Sequence, residues 1–132
     1  MNDIEQILGS RRGRIFAIGP QETVFAAMQS MAEHGIGALL VMDKGKPVGL
    51  ISERDYARKV VLEHRSSETT RVDEIMSKKL ICATLKMGRK EAMTLMARNK
   101  IRHLPVLDEA KQCVGVVSIR DFVQDIESED DE

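Results

Sequence analysis

At 132 residues and 14.8 kDa the chain is long enough to bury a core without disulfide or metal staples. A formal net charge of -1 leaves no global field for polyanions, and 3% aromatic residues without tryptophan provide no stacking platform for single-stranded nucleic acid. No run approaches eighteen apolar residues and Met1 to Gly13 lacks an apolar leader core, so the chain reads as cytoplasmic, with neither membrane nor nucleic acid as a partner.

The N-terminal stretch Asp3 to Leu8 places Ile4, Ile7 and Leu8 on one helical face, and the basic segment Arg11-Arg12-Gly13-Arg14 follows as a solvated turn or a phosphate contact. A short strand, Ile15 to Ile18, ends at Gly19-Pro20. From about Glu22 to His34 apolar residues recur at steps of three and four (Val24, Ala27, Met28, Met31), which predicts an amphipathic helix stopped by Gly35. Gly37 to Met42 is an apolar run of strand length. Asp43 to Lys46 is a hairpin turn, and Pro47 to Ile51 is the return strand. A second helix runs from Glu53 to about Glu63, then Arg65 to Thr70 is a polar linker, and Val72 to Met76 is a helical turn.

The order then repeats: strand Leu80 to Ala83, helix Gly88 to Asn99, strand His103 to Leu107, turn Asp108 to Lys111, strand Cys113 to Val117, and a helix from Ser118 to about Ile126. The acidic run Glu127 to Glu132 reads as a solvated tail. A shift of sixty-five positions superposes Ala27 on Ala92, Met31 on Met96, Leu39 on Leu104 and Val41 on Val106. One extra residue in the second turn brings Gly49 onto Gly115, Ser52 onto Ser118, Arg54 onto Arg120 and Asp55 onto Asp121. The chain is therefore a duplicated unit. It divides into a helix and lead-in segment (1–14), a first repeat (15–64), a linker (65–76), a second repeat (77–126) and the tail (127–132). The fold class is α/β (α+β): two pseudo-twofold-related β-α-β-β-α repeats, each a small three-stranded sheet with two helices that needs its counterpart to cover an apolar face. Two equivalent clefts are expected where the joint of one repeat meets the opening strand of the other.

Each joint, Gly49-Leu50-Ile51-Ser52-Glu53-Arg54-Asp55 and Gly115-Val116-Val117-Ser118-Ile119-Arg120-Asp121, runs from a buried strand directly into a helix. Ser-x-x-Asp is a capping-box variant and suffices for helix initiation. The same groups also suit a sugar phosphate, because a helix start attracts phosphate and a carboxylate accepts hydrogen bonds from ribose hydroxyls. Arg54 and Arg120 oppose the helix dipole at these positions. They are solvent-facing or anion contacts.

Cys82 and Cys113 have no C-x-x-C spacing and read as free thiols, while His34, His64 and His103 share no i, i+4 face, so no metal site is expected. No nucleophile has an adjacent base, and the chain does not read as an enzyme.

The order of elements, the hairpin motifs Ala38-Leu39-Leu40-Val41-Met42-Asp43 and His103-Leu104-Pro105-Val106-Leu107-Asp108, and the paired Gly-x-x-Ser-x-Arg-Asp joints resemble a tandem pair of cystathionine-β-synthase (CBS) domains. The resemblance implies a freestanding regulatory module that needs no cofactor and binds AMP, ADP, ATP, NAD(H) or S-adenosylmethionine in the clefts between the repeats. It implies that Asp55 and Asp121 accept ribose hydroxyls, and that Ser52, Ser118, Arg54 and Arg120 face the sugar-phosphate portion. The adenine pockets map to Phe16 with Ile36 and to Ile81 with Ile101, and Arg102 stands where it reaches phosphate while its counterpart Gly37 cannot. His103 reads as a partly buried core residue or a phosphate contact. The chain departs from the family at Ala17 and Cys82, where Thr or Ser is common, and at Leu85, where proline is usual. The Met28, Met31, Met93 and Met96 stripe reads most simply as core; a homodimer through these helices is a further implication, as is a regulated partner on a separate chain. The alternative is a structural dimerisation module with empty clefts.

Overall fold

The computed structural model describes residues 3–123, which divide into two compact units: a first unit, Phe16–Leu80, and a second unit made of the segment up to Ile15 with the chain from Ile81 onward. The acidic run Glu127 to Glu132 and the predicted helix end at Ile126 lie outside the described residues.

In the first unit β1 (Ala17–Ile18) pairs in parallel with β2 (Ala38–Asp43), which pairs antiparallel with β3 (Lys46–Ser52). Between β1 and β2 lies α2 (Val24–His34), capped by the Thr23 hydroxyl, which accepts from the Ala26 amide at 3.1 Å, and ended by Gly35 in the left-handed conformation. The second unit repeats this with β4 (Ala83–Thr84), α5 (Arg89–Asn99), β5 (His103–Leu107) and β6 (Cys113–Ser118), in strand order β4-β5-β6. Both hairpins carry a register shift at the matching place, Val41/Met42 and Val106/Leu107. The mixed α/β class with two three-stranded sheets is thus as the sequence indicates.

Three elements are shorter or differently wound than the pattern predicts. The opening strands hold only two paired residues each, so Phe16 and Ile81 lie just before them. As edge strands, they end where Pro20 and Leu85 turn the chain. The helix after the first joint is one α-turn, α3 (Glu53–Tyr56), that widens over Ala57–Val61 into i→i+5 bonding, with the Leu62 amide on the Ala57 carbonyl at 3.0 Å. This winding buries Val60 and leaves Leu62 70% exposed.

The helix that precedes each repeat in sequence packs into the unit built on the other repeat. Helix α1 (Ile4–Leu8) buries Ile4 and Leu8 among Ala83, Ala92, Leu104 and Val117 of the second unit. Helix α4 (Val72–Ile75) buries Val72 and Ile75 among Val24, Leu39 and Ile51 of the first. The docking is the same in both. Ile4 and Glu5 amides donate to the Met87 and Leu85 carbonyls (2.9 and 3.0 Å), and Val72 and Asp73 amides donate to Glu22 and Pro20 (2.8 and 2.9 Å). Each unit is therefore completed by a helix that precedes the other repeat in sequence.

The glycine of each joint is the site of closest approach. A Cβ on Gly49 would lie 2.8 Å from the Ser77 backbone carbonyl and 2.6 Å from Met76 Sδ, whereas on Gly115 it would meet only the Leu8 side chain, at 2.9 Å. Backbone cannot yield as a leucine tip can. Gly49→Ala is expected to cost about 2–3 kcal/mol and Gly115→Ala about 1 kcal/mol, compared by urea denaturation; equal losses would contradict the packing. Helix α4 also predicts an acid response. The Arg71 amide donates to Glu74 Oε2 at 2.7 Å and Arg65 pairs with Oε1. The hydrogen bond from the Arg71 backbone, then that from the Arg65 side chain, hold the Glu74 carboxyl below its ordinary 4.5. A depressed folded-state value gives stability that is present above pH 4.5 and lost as pH falls through the folded value. Glu74→Gln should flatten this acid limb, read as melting temperature against pH.

Candidate functional site

Each joint forms because a strand in extended geometry hands directly to a helix. In the first unit the Ser52 hydroxyl accepts from the Asp55 amide at 3.3 Å, and Asp55 Oδ2 accepts from the Ser52 amide and hydroxyl at 2.9 and 3.1 Å. In the second, Asp121 Oδ2 accepts from the Ser118 amide at 2.7 Å and the hydroxyl at 3.4 Å. The capping box is therefore complete at Ser52–Asp55, its carboxylate half is formed at Ser118–Asp121, and in both copies one carboxylate oxygen is committed to it.

The other oxygen is held by a cation. Asp55 Oδ1 is 3.1 Å from Lys59 Nζ, and Asp121 Oδ1 is 3.2 Å from Arg11 Nη2, with the two carboxylate side chains 16% and 14% exposed. The Asp55–Lys59 contact follows the helical i, i+4 spacing and is readable from sequence. The Arg11 contact crosses most of the chain length and has no local signal. The structure gives Arg11 a partner that the sequence did not suggest, the Asp121 carboxylate, while Arg12 pairs with Glu5 at 2.7 Å.

Within each unit the joint is tied to the start of the hairpin. The Glu53 amide donates to the Gly37 carbonyl at 3.0 Å and the Ile119 amide to the Arg102 carbonyl at 2.9 Å. Ala38 stands opposite Ser52 and His103 opposite Ser118 in the strand register. Ile36 and Ile101 are consequently brought beside the joints of their own units, each partly buried against that unit's core. Phe16 passes its carbonyl to the Leu40 amide at 3.2 Å and places its ring 4.3 Å from that of His34, a neighbour the sequence did not indicate. Ile81 packs on the second unit's core. Arg54 is partly buried and Arg102 and Arg120 are exposed, and none of the three forms an ion pair among the described residues. Three guanidiniums that form no ion pair among the described residues, at or next to joints that each carry a carboxylate, suit a ligand that bears both hydroxyls and negative charge.

Cys82, next to Ile81, is partly buried, and burial, then the proximity of Cys113, pushes its thiol above the ordinary 9.0. It remains protonated and unreactive near neutral pH. No group of three His, Cys, Asp or Glu side chains among the described residues is arranged to hold a metal ion, and no helix there is long and apolar enough to cross a membrane. A separate open cavity of about 540 Å³ lies in the second unit between the ends of β4 and β5, lined by Glu5, Arg12, Lys86 and Asp108. It is at the far end of β5 from the Ser118 joint.

Comparison with known proteins agrees with this architecture. The sequence pattern described as the CBS domain matches twice, over residues 5–62 and 72–128. The chain is 44% identical over 108 residues to the mitochondrial CBS domain-containing protein CBSX3 of Arabidopsis thaliana, an alignment covering 78% of this chain and 52% of that one, so the chain spans about half the length of that relative. A solved CBS-domain protein from Burkholderia ambifaria superposes with a TM-score of 0.90 at 42% identity, over 95% of this chain and 93% of that one. The CBS pair of protein MJ0100, solved with 5'-methylthioadenosine and S-adenosyl-L-methionine, shares the fold at a TM-score of 0.85 and 22% identity, covering 98% of each chain. With both halves matched and their motif joints in place, this chain belongs to the CBS domain family as a tandem pair.

Proposed function

We propose that the chain is a regulatory sensor that binds an adenosine-containing ligand at its two Ser-x-x-Asp joints. The observation that carries this reading is the duplicated carboxylate: in both units one oxygen is fixed by the cap while the other is held by a half-exposed side-chain cation. A carboxylate fixed in this way is pre-organised to accept ribose hydroxyls without losing the helix start. The MJ0100 pair, with its two adenosine derivatives, supports the ligand class.

In this reading Asp55 and Asp121 take the ribose, and Ser52, Ser118, Arg54 and Arg120 lie along the sugar-phosphate portion. Phe16 with Ile36 and Ile81 with Ile101 flank the adenine. Arg102 adds a phosphate contact that Gly37 cannot make, so the two sites differ in affinity. AMP, ATP and NAD are the ligands best matched by the arginines. A homodimer belongs to the same reading, and the exposed Val61 and Leu62 of the first unit provide apolar surface for a second copy. The output is a change presented to a separate regulated protein.

Two measurements test this. Purified protein titrated with AMP, ATP, NADH and S-adenosylmethionine should show a melting temperature raised by roughly 10 °C at a ligand concentration about a hundred times the dissociation constant. No shift with any of them favours a purely structural module. Asp121→Ala should lose one of two binding events in calorimetry while the free protein stays folded, less stable by about 1 kcal/mol from the weakened cap. Two intact binding events in that variant would remove Asp121 from the site.

A further inference from the structure

The cations at the two joints share a feature that capping does not require. Lys59 Nζ lies 3.1 Å from Asp55 Oδ1 and also donates to the Ile75 carbonyl at 2.8 Å. Arg11 Nη2 lies 3.2 Å from Asp121 Oδ1 and also contacts the Ile7 carbonyl at 3.5 Å. Ile7 and Ile75 occupy matching places, the last turns of α1 and α4. The cations do not match: one comes from the widened second turn of the motif helix, the other from the turn after α1. Two unrelated positions thus place a positive charge in the same bridge between the motif carboxylate and the helix that completes its unit.

We propose that Arg11 and Lys59 transmit ligand occupancy from each joint to that helix. The proposal rests on the reading of Asp55 and Asp121 as ligand-binding carboxylates. The last carbonyls of a helix have no partner in their own ladder, and helices of five and four residues have little internal cooperativity. The bridging cation supplies that partner. Its ion pair is partly exposed, 44% at the Arg11 side chain and 46% at Lys59, so it is weak enough to open while the buried Ile4, Leu8, Val72 and Ile75 hold the helices in place.

A nucleotide offers both halves of the bridge a new partner, hydroxyls for the carboxylate and phosphate for the cation. A neutral nucleoside offers only hydroxyls, and a carboxylate oxygen has room to accept one while keeping its cation. AMP therefore opens the bridge and adenosine does not. The Arg11 bridge, with the longer carbonyl contact, opens at the lower AMP concentration.

Hydrogen exchange read by mass spectrometry on the full chain tests this. The reporters are the amides of Arg12, Gly13 and Arg14, bonded to Gly9, Val114 and Arg11, and those of Met76 and Ser77, bonded to Val72 and Leu50. Saturating AMP should speed exchange of both groups roughly threefold to fivefold, and adenosine should leave them unchanged. Free Arg11→Gln should already show the faster exchange at residues 12–14 with no further response to AMP, Arg11→Lys should restore the response, and Lys59→Gln should behave likewise at 76 and 77. Calorimetric binding of AMP without faster exchange in either group overturns the proposal and leaves the nucleotide site standing. A lowered melting temperature in Arg11→Gln with the AMP response intact gives Arg11 a structural role only and also overturns it. No binding of AMP or adenosine ends both readings.

Discussion

Much of the molecule depends on what two aspartates are made to do at once. Asp55 and Asp121 each close a helix start with one oxygen and meet a cation with the other. The cap fixes the carboxylate to its own backbone, so its position is set by the strand that leads into it rather than by a flexible loop. A group fixed so closely to a sheet end costs little entropy to present to a ligand. Most of each carboxylate side chain is buried while its cation is half exposed, so the carboxylate is held in position and the ion pair itself stays weak.

The second constraint is the exchange of α1 and α4 between the halves of the sequence. Each three-stranded sheet with its helices leaves carbonyls at the loop after its opening strand, Leu85 and Met87 in one unit and Pro20 and Glu22 in the other, and a helix from elsewhere in the chain satisfies them. The glycines of the joints serve that docking: Gly115 lies under Leu8 and Gly49 under Met76 and Ser77. Strand, joint and crossing helix are thus packed as one piece in each unit, which is why a carboxylate, a cation and a helix carbonyl come within one bridge.

The two units are alike in backbone and unlike in charge. Arg102 is matched by Gly37, and Arg11 does in one unit what Lys59 does in the other. Duplication preserved the cap, because Ser and Asp are both needed for it, while the cations were supplied from different places. Under the proposed ligand reading, two joints of one shape and different electrostatics would respond to a nucleotide over two concentration ranges.

The duplication, the strand and helix order, the joints and their capping pattern are legible in the residues, because 3.6-residue and two-residue periods, glycine stops and Ser-x-x-Asp spacing are local properties. The Lys59 contact was within reach of the same reasoning, being one helical turn from Asp55. The widened turn over Ala57–Val61, the late start of the opening strands and the transfer of α1 and α4 were not, because each depends on which distant backbone groups need partners. Arg11 makes the point most directly: from sequence it is one of three arginines in a polar turn, and only the docking of α1 through buried Ile4 and Leu8 carries it to Asp121. Sequence by itself determined the elements and the carboxylates, since those follow from neighbours a few residues apart; tertiary structure decided what the carboxylates touch, since burial of apolar side chains joins segments that no local spacing relates.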